Sequence, residues 1–207
     1  MNSTMTIDRF SCDPQETATF YKWLATTIIP FIRVKVLEAN SGDGELSALL
    51  VEQGVPLRLN VPDESSRVLL RERFKENTLV RGVNRIDFAQ PEMEVAYKDA
   101  EGVFSTVIDL WGPDFRGNKE QSRKKAWRLL QEDGILISAV PSHSTLWPGV
   151  NYSPEELRNM EWLSLKRRLP GFDLLTDFYF ELFGEAAPPS GLLPGLYVLL
   201  IARKIGV

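Results

Sequence analysis

Val36-Leu37-Glu38-Ala39-Asn40-Ser41-Gly42-Asp43-Gly44-Glu45-Leu46 is the stretch that decides the fold. It reads as a short apolar strand, a glycine bend and the first turn of a helix. Gly42 and Gly44 carry no Cβ, so the backbone there can approach another group closely. The helix that follows starts with unpaired N–H groups. Such a bend either cradles a ligand or is simply a tight strand-to-helix turn, and the rest of the chain has to decide between the two.

Outward from this bend, helices alternate with short apolar runs. Upstream, Asp13 caps a helix that runs to Ile32, with Pro14 in its first turn, and Phe20, Trp23, Leu24, Ile28 and Phe31 at three- and four-residue spacing. Pro30 ends or kinks it. Val34 to Glu38 is the first strand. Downstream, Glu45 to Gln53 is a helix with Gly54 at its C-terminus, Leu57 to Val61 a strand, and Ser65 to Glu76 a helix with Val68, Leu69 and Phe74 as its expected buried stripe. Strands follow at Thr78 to Val83 and Val103 to Leu110. A helix over Lys119 to Glu132 turns inward Ala126, Trp127, Leu129 and Leu130, and Asp133-Gly134 leads into a strand at Ile135 to Val140. Ser153-Pro154-Glu155-Glu156 opens another helix through a capping box. Phe172 to Phe178 and Leu196 to Arg203 close the chain as two strands with no helix between them. This order predicts an α/β fold with a mostly parallel sheet, helices on both faces and an antiparallel edge hairpin. Ligands of such sheets bind at the carboxyl ends of the strands, which places the chemistry just after Leu37, Leu59, Ile108 and Val140.

Composition removes other classes. The 207 residues suit one domain. Lys plus Arg number 24 against 28 Asp plus Glu, a net charge of -4, so there is no electrostatic footprint for nucleic acid. The basic triplets Arg123-Lys124-Lys125 and Lys166-Arg167-Arg168 read as solvated helix faces. Cys12 is the single cysteine and His143 the single histidine, so no internal disulfide forms and no metal is expected. The longest apolar run, Leu196 to Ala202, falls far short of the ~20 residues of a membrane helix, and Met1 to Arg9 lacks the pattern of a signal peptide. The expectation is a cytoplasmic protein with no membrane partner.

The bend resembles motif I of class I S-adenosylmethionine-dependent methyltransferases, acidic-x-Gly-x-Gly-x-Gly. Glu38 stands at the acidic position, Asn40 at the first glycine, and Gly42 and Gly44 at the second and third. Further landmarks follow in order. The end of the next strand, where the family carries an acidic residue for the ribose hydroxyls, has Asn60, with Asp63 three residues on. Asp87 and Phe88 resemble the pair that meets adenine. Val107-Ile108-Asp109-Leu110-Trp111 resembles motif IV, and Val140-Pro141-Ser142-His143, Trp147 and Tyr152-Ser153-Pro154-Glu155-Glu156-Leu157 resemble a small-molecule methyltransferase subgroup.

The resemblance implies a single Rossmann-like domain over 1–207, a three-layer sandwich around a seven-stranded sheet whose seventh strand is inserted antiparallel. Residues 1–32 would form an N-terminal helical lid and 33–207 the core. It implies S-adenosylmethionine as cofactor, held by Glu38, Asn40, Gly42, Gly44, Asn60, Asp87 and Phe88, and methyl transfer to a small-molecule substrate. His143 or Asp109 would take the acceptor's proton. Trp111, Trp147 and Tyr21 would line the substrate site, the tryptophans through cation–π contact or as plain loop packing. A homodimer is compatible with it. Asn40 and Asn60 depart from the pattern and favour the alternative, a methyltransferase-like protein that binds, scaffolds or catalyses another reaction in the inherited pocket. A Rossmann dehydrogenase is disfavoured because Gly-x-Gly-x-x-Gly is absent.

Overall fold

A computed structural model describes residues 7–11, 17–86, 100–110, 125–141, 171–183 and 195–206. Within them the elements are β1 (Ile7–Ser11), α1 (Thr17–Ile28), β2 (Val36–Glu38), α2 (Glu45–Glu52), β3 (Leu57–Val61), α3 (Glu64–Arg73), β4 (Val80–Arg85), β5 (Phe104–Asp109), β6 (Leu130–Pro141), β7 (Phe172–Phe183) and β8 (Gly195–Lys204). A 3₁₀ turn over Ile29–Phe31, with Pro30 inside it, ends α1 because proline cannot continue the ladder of helical bonds. Residues 125–129 are also helical.

One sheet holds all the strands in the order β1-β7-β8-β6-β5-β2-β3-β4. β2 to β6 run parallel, and β8 lies between β6 and β7, antiparallel to both. Seven of these strands are the expected ones, including the antiparallel pair. The eighth is β1, which adds parallel to β7, Ile7 opposite Tyr179 and Ser11 opposite Phe183. Its sequence, IDRFS, has no run that marks a strand, and its partner lies at the other end of the chain.

Alternation along the strands divides the core into two apolar layers, one on each face of the sheet. Val36, Ile108, Ile137, Leu199 and Ile201 face Phe20, Leu24 and Ile28 of α1, Leu46 and Leu50 of α2, and Leu70 of α3. Leu37, Val107, Leu136, Leu200 and Ala202 face the other way, toward Ala126 and Leu129. Phe20 and Trp23 of α1 pack with tilted rings against Phe180, which in turn stacks on Tyr197, ring centroids being 5.4 Å apart in each pair. Trp23 also donates its indole N–H to Asp8 Oδ2 at 3.1 Å. The N-terminal helix is thereby bonded both to the hairpin and to β1.

Two local expectations are corrected. On α3 the inward residues are Leu70 and Phe74, one helical turn apart, whereas Val68 and Leu69 are 56% and 69% exposed. Phe74 is buried as expected, and Leu70 stands in the stripe in place of Val68 and Leu69. The helix expected over Lys119 to Glu132 gives way to β6 at Leu130, which pairs with Phe104. The register then jumps so that Ile135 pairs with Thr106, and the intervening chain turns through Asp133 at φ 60.

Lys204 is bonded at the point where the chain leaves the helix. Its buried Nζ donates to Leu130 O at 2.8 Å, lies 3.2 Å from Glu132 Oε1, and sits 4.0 Å from the centre of the Trp127 ring. One ammonium thus satisfies a carbonyl at the end of the helical turn and ties β8 to it. Lys204→Ala is expected to cost about 2 to 3 kcal/mol, a fall in Tm of roughly 4 to 12 °C for a chain of this size, measurable by thermal unfolding.

Candidate functional site

Strand direction brings the carboxyl ends of β2, β3, β4 and β5 to one edge of the sheet, with Glu38, Asn60 and Asp109 together on it. Asp87 and Phe88 follow β4 along the chain, Trp111 follows β5, and His143 and Trp147 follow β6. All five lie outside the described residues.

The bend after β2 is pinned on both sides. Ala39 N–H donates to Ile108 O of β5 at 2.8 Å, and Ser41 N–H donates to Asn60 O of β3 at 2.9 Å. A further bond, Gly44 N–H to Ser41 O at 2.9 Å, closes the turn. Lys35 and Asp133 are the only non-glycine residues with positive φ among those described, so Asn40 needs no left-handed conformation. Asparagine at the first-glycine position therefore leaves the turn intact.

The two glycines do different jobs. Gly42 is exposed at the tip, with φ +53, and a Cβ built on it would meet nothing within 4 Å. The space beside it is open. Gly44, at φ +85, is the N-cap of α2, and a Cβ there would lie 2.7 Å from Leu70 Cδ2 and 3.0 Å from Phe74 Cε2. Gly44 thus serves the contact between α2 and α3.

Glu38 is 2% exposed, and its Oε2 accepts a hydrogen bond from Ser47 Oγ at 2.6 Å. Burial pushes its pKa up to about 7. The hydroxyls of Ser47 and Ser41 pull the other way, and the charge of Asp43 adds to the rise. Tyr21 of α1 is 5% exposed, and its phenol is held far above its ordinary range by burial and by the charges of Asp43, Glu38 and Glu45. It therefore stays protonated and placed beside the bend. Tyr21, expected among the substrate contacts, belongs to the apolar layer beneath α1 and faces the acidic bend. Arg73 braces the bend from outside, donating to Asp43 O and Glu45 Oε1, both at 2.7 Å. The local field is acidic and suits a cationic group such as a sulfonium or an ammonium.

Asn60 is 1% exposed. Its Nδ2 donates to Ala39 O and to Ile86 O, both at 2.8 Å. Its Oδ1 is buried with no partner among the described residues. Asp63 does not bend inward as a substitute acid. It caps α3, accepting from Ser66 N–H at 2.8 Å and from Ser66 Oγ at 2.7 Å, and these bonds with the one from Ser65 hold its pKa down near 2. Ser41 and Ser47 were not singled out in the sequence. Ser47 lies on the first turn of the helix after the bend, where a side chain reaches back toward the strand end, and that spacing from Glu38 was its available signal. Among the described residues no group of His, Cys, Asp and Glu could hold a metal ion, and no helix is long and apolar enough to cross a membrane.

No protein-family model matches the chain, and no curated protein matches its sequence. Solved structures do match it. A glycopeptide N-methyltransferase, MtfA, complexed with sinefungin has a TM-score of 0.61 and 14% identity, over 96% of this chain and 93% of that one. A geranyl diphosphate methyltransferase in complex with GPP and sinefungin gives 0.61 and 13%, over 92% and 80%. A SAM-dependent methyltransferase from Methanosarcina mazei gives 0.60 and 13%, over 86% and 97%. The chain has the class I S-adenosylmethionine-dependent methyltransferase fold.

Proposed function

We propose that the chain binds S-adenosylmethionine at the bend after β2 and transfers its methyl group to a small-molecule acceptor. The observation that carries this reading is the pinned bend with Gly42 open at its tip and three carboxylates, Glu38, Asp43 and Glu45, around it. When bound, S-adenosylmethionine supplies a methyl group made electrophilic by the sulfonium. The chain's own contribution is placement. The main chain at Asn40 and Gly42 gives the nucleoside a surface without side-chain bulk. Glu38 and Tyr21 shape the wall under α1. Asp109 at the end of β5, or His143, takes the proton that the acceptor loses as its new bond to carbon forms. Asp87 and Phe88 would meet the adenine, and Trp111 and Trp147 the acceptor. A small-molecule acceptor is supported by the likeness to the geranyl diphosphate methyltransferase, which is in complex with GPP.

Gly42→Val tests the site. The branched side chain would fill the open side of the bend and strain it at a φ of +53, weakening binding of S-adenosylmethionine and of S-adenosylhomocysteine by roughly 100-fold or more by calorimetry, with folding checked by thermal unfolding. Unchanged affinity moves the site elsewhere. One observation favours a second reading, in which the pocket binds without methyl transfer: Asn60 has given both N–H groups to main-chain carbonyls, and no carboxylate takes its place. No heat with either ligand at millimolar concentration decides for that reading.

A further inference from the structure

Asn60 stands where the methyltransferase pattern has a ribose-binding acid, but all but one of its polar groups bond to the protein. Its N–H donates to Ser41 Oγ at 3.3 Å and its carbonyl accepts from Ser41 N–H at 2.9 Å. The carboxamide nitrogen bonds to the carbonyls of Ala39 and Ile86. Two acceptors facing one end of the side chain fix that end as nitrogen. The three strand ends β2, β3 and β4 are thus joined through a single side chain, at the edge where a nucleoside would lie.

We propose that Asn60 is a positioning residue: its carboxamide clips the ends of β2 and β4 to β3, sets the shape of the bend, and does not itself hold the ribose. The proposal rests on the cofactor reading for its functional part only. Its chemistry is specific. An aspartate, which the family pattern would suggest as an improvement, would aim a carboxylate at two carbonyl oxygens in a buried site. Its pKa would rise, since both burial and the carbonyl dipoles oppose ionisation. A carboxyl group whose folded pKa is raised keeps its stability below its unfolded pKa and loses it as pH rises through the folded value. Among the ionisable groups at the adjoining strand ends and turns, Glu38, Asp43, Asp63 and Asp109 oppose ionisation of the new carboxyl further when charged, and Arg85 is the cation that favours it.

The experiment has a ligand-free arm and a ligand arm. In thermal unfolding without ligand, Asn60→Asp is expected to lower Tm by roughly 6 to 12 °C at pH 8 and by less than half of that at pH 5. Asn60→Ser is expected to lower it by a similar amount at both. Asn60→Asp within about 2 °C of wild type at both pH values overturns the clip. If Asn60→Asp folds at neither pH, Asn60→Ser decides, and an unchanged Tm there overturns the clip. In the ligand arm, calorimetry compares S-adenosylhomocysteine with its 2′,3′-dideoxy analogue. A residue that touches the ribose couples to those hydroxyls, and a positioning residue does not. The ratio of the two affinities should therefore be the same in wild type and Asn60→Ser, although both bind more weakly in the variant. A ratio that collapses toward one in the variant overturns the proposal. A wild type that binds neither ligand counts against the cofactor reading alone, and the unfolding arm then decides the clip.

Discussion

Gly44→Ala lowers the stability of the protein by about 3 kcal/mol. An L-residue at the φ of +85 that Gly44 adopts costs about 1 to 2 kcal/mol. The new methyl group also overlaps Leu70 Cδ2 at 2.7 Å inside a buried contact, and overpacking of this kind adds about 1 to 3 kcal/mol. Thermal unfolding should show Tm reduced by roughly 6 to 12 °C. The two parts are separable. In a Leu70→Ala background the closer overlap is gone and the Phe74 Cε2 contact at 3.0 Å remains, so the same substitution should cost little more than the backbone part, about 1 to 2 kcal/mol. A Gly44→Ala protein as stable as wild type would mean that α3 does not rest on the start of α2.

Glu38→Gln is expected to change the pH dependence of stability more than any other single substitution at the site. The folded carboxyl has a pKa of about 7 against an ordinary 4.5. Stability from this group is complete below pH 4.5, because both states are then protonated, and it falls as pH rises to 7, because the unfolded chain ionises first. Above pH 7 the deficit is about 3 kcal/mol, at 1.36 kcal/mol per pH unit. Glutamine keeps an acceptor for Ser47 and cannot ionise. Chemical denaturation from pH 4 to 8 should show the variant gaining on wild type steadily between pH 4.5 and 7, with no further gain above. Parallel curves across that window would place a charged Glu38 in the fold without penalty.

Much of this architecture was legible in the sequence, for local reasons. The strand, bend and helix from Val36 to Leu46 are written in adjacent residues, and β3 matches Leu57 to Val61 residue for residue. Pro30 stopped α1 as its ring requires. What stayed hidden depends on contacts distant in the chain. The inward face of α3 is set by Gly44, which leaves room for Leu70 and Phe74, and helical periodicity alone, though it found Phe74, could not choose Leu70 over Val68 and Leu69. The start of β6 at Leu130 pairs with Phe104 and meets Lys204, both far from it in the chain. At the site, Glu38, Asn60 and Asp109 share the expected edge. The work of Asn60 was not legible, because a residue type does not reveal that its two donors meet the carbonyls of two neighbouring strands.

The pairing of β1 with β7 has a consequence for how the protein is made. Ile7–Ser11 is made before the other strands of the sheet, yet its hydrogen-bonding partner Tyr179–Phe183 follows only after β2 to β6. Such a contact has the highest contact order this topology allows and must await closure of nearly the whole polypeptide. Trp23 anchors on Asp8 and on Phe180, so the leading helix settles only once both have arrived. During synthesis, Tyr21 therefore reaches its place beside the acidic bend only after β7 has been made.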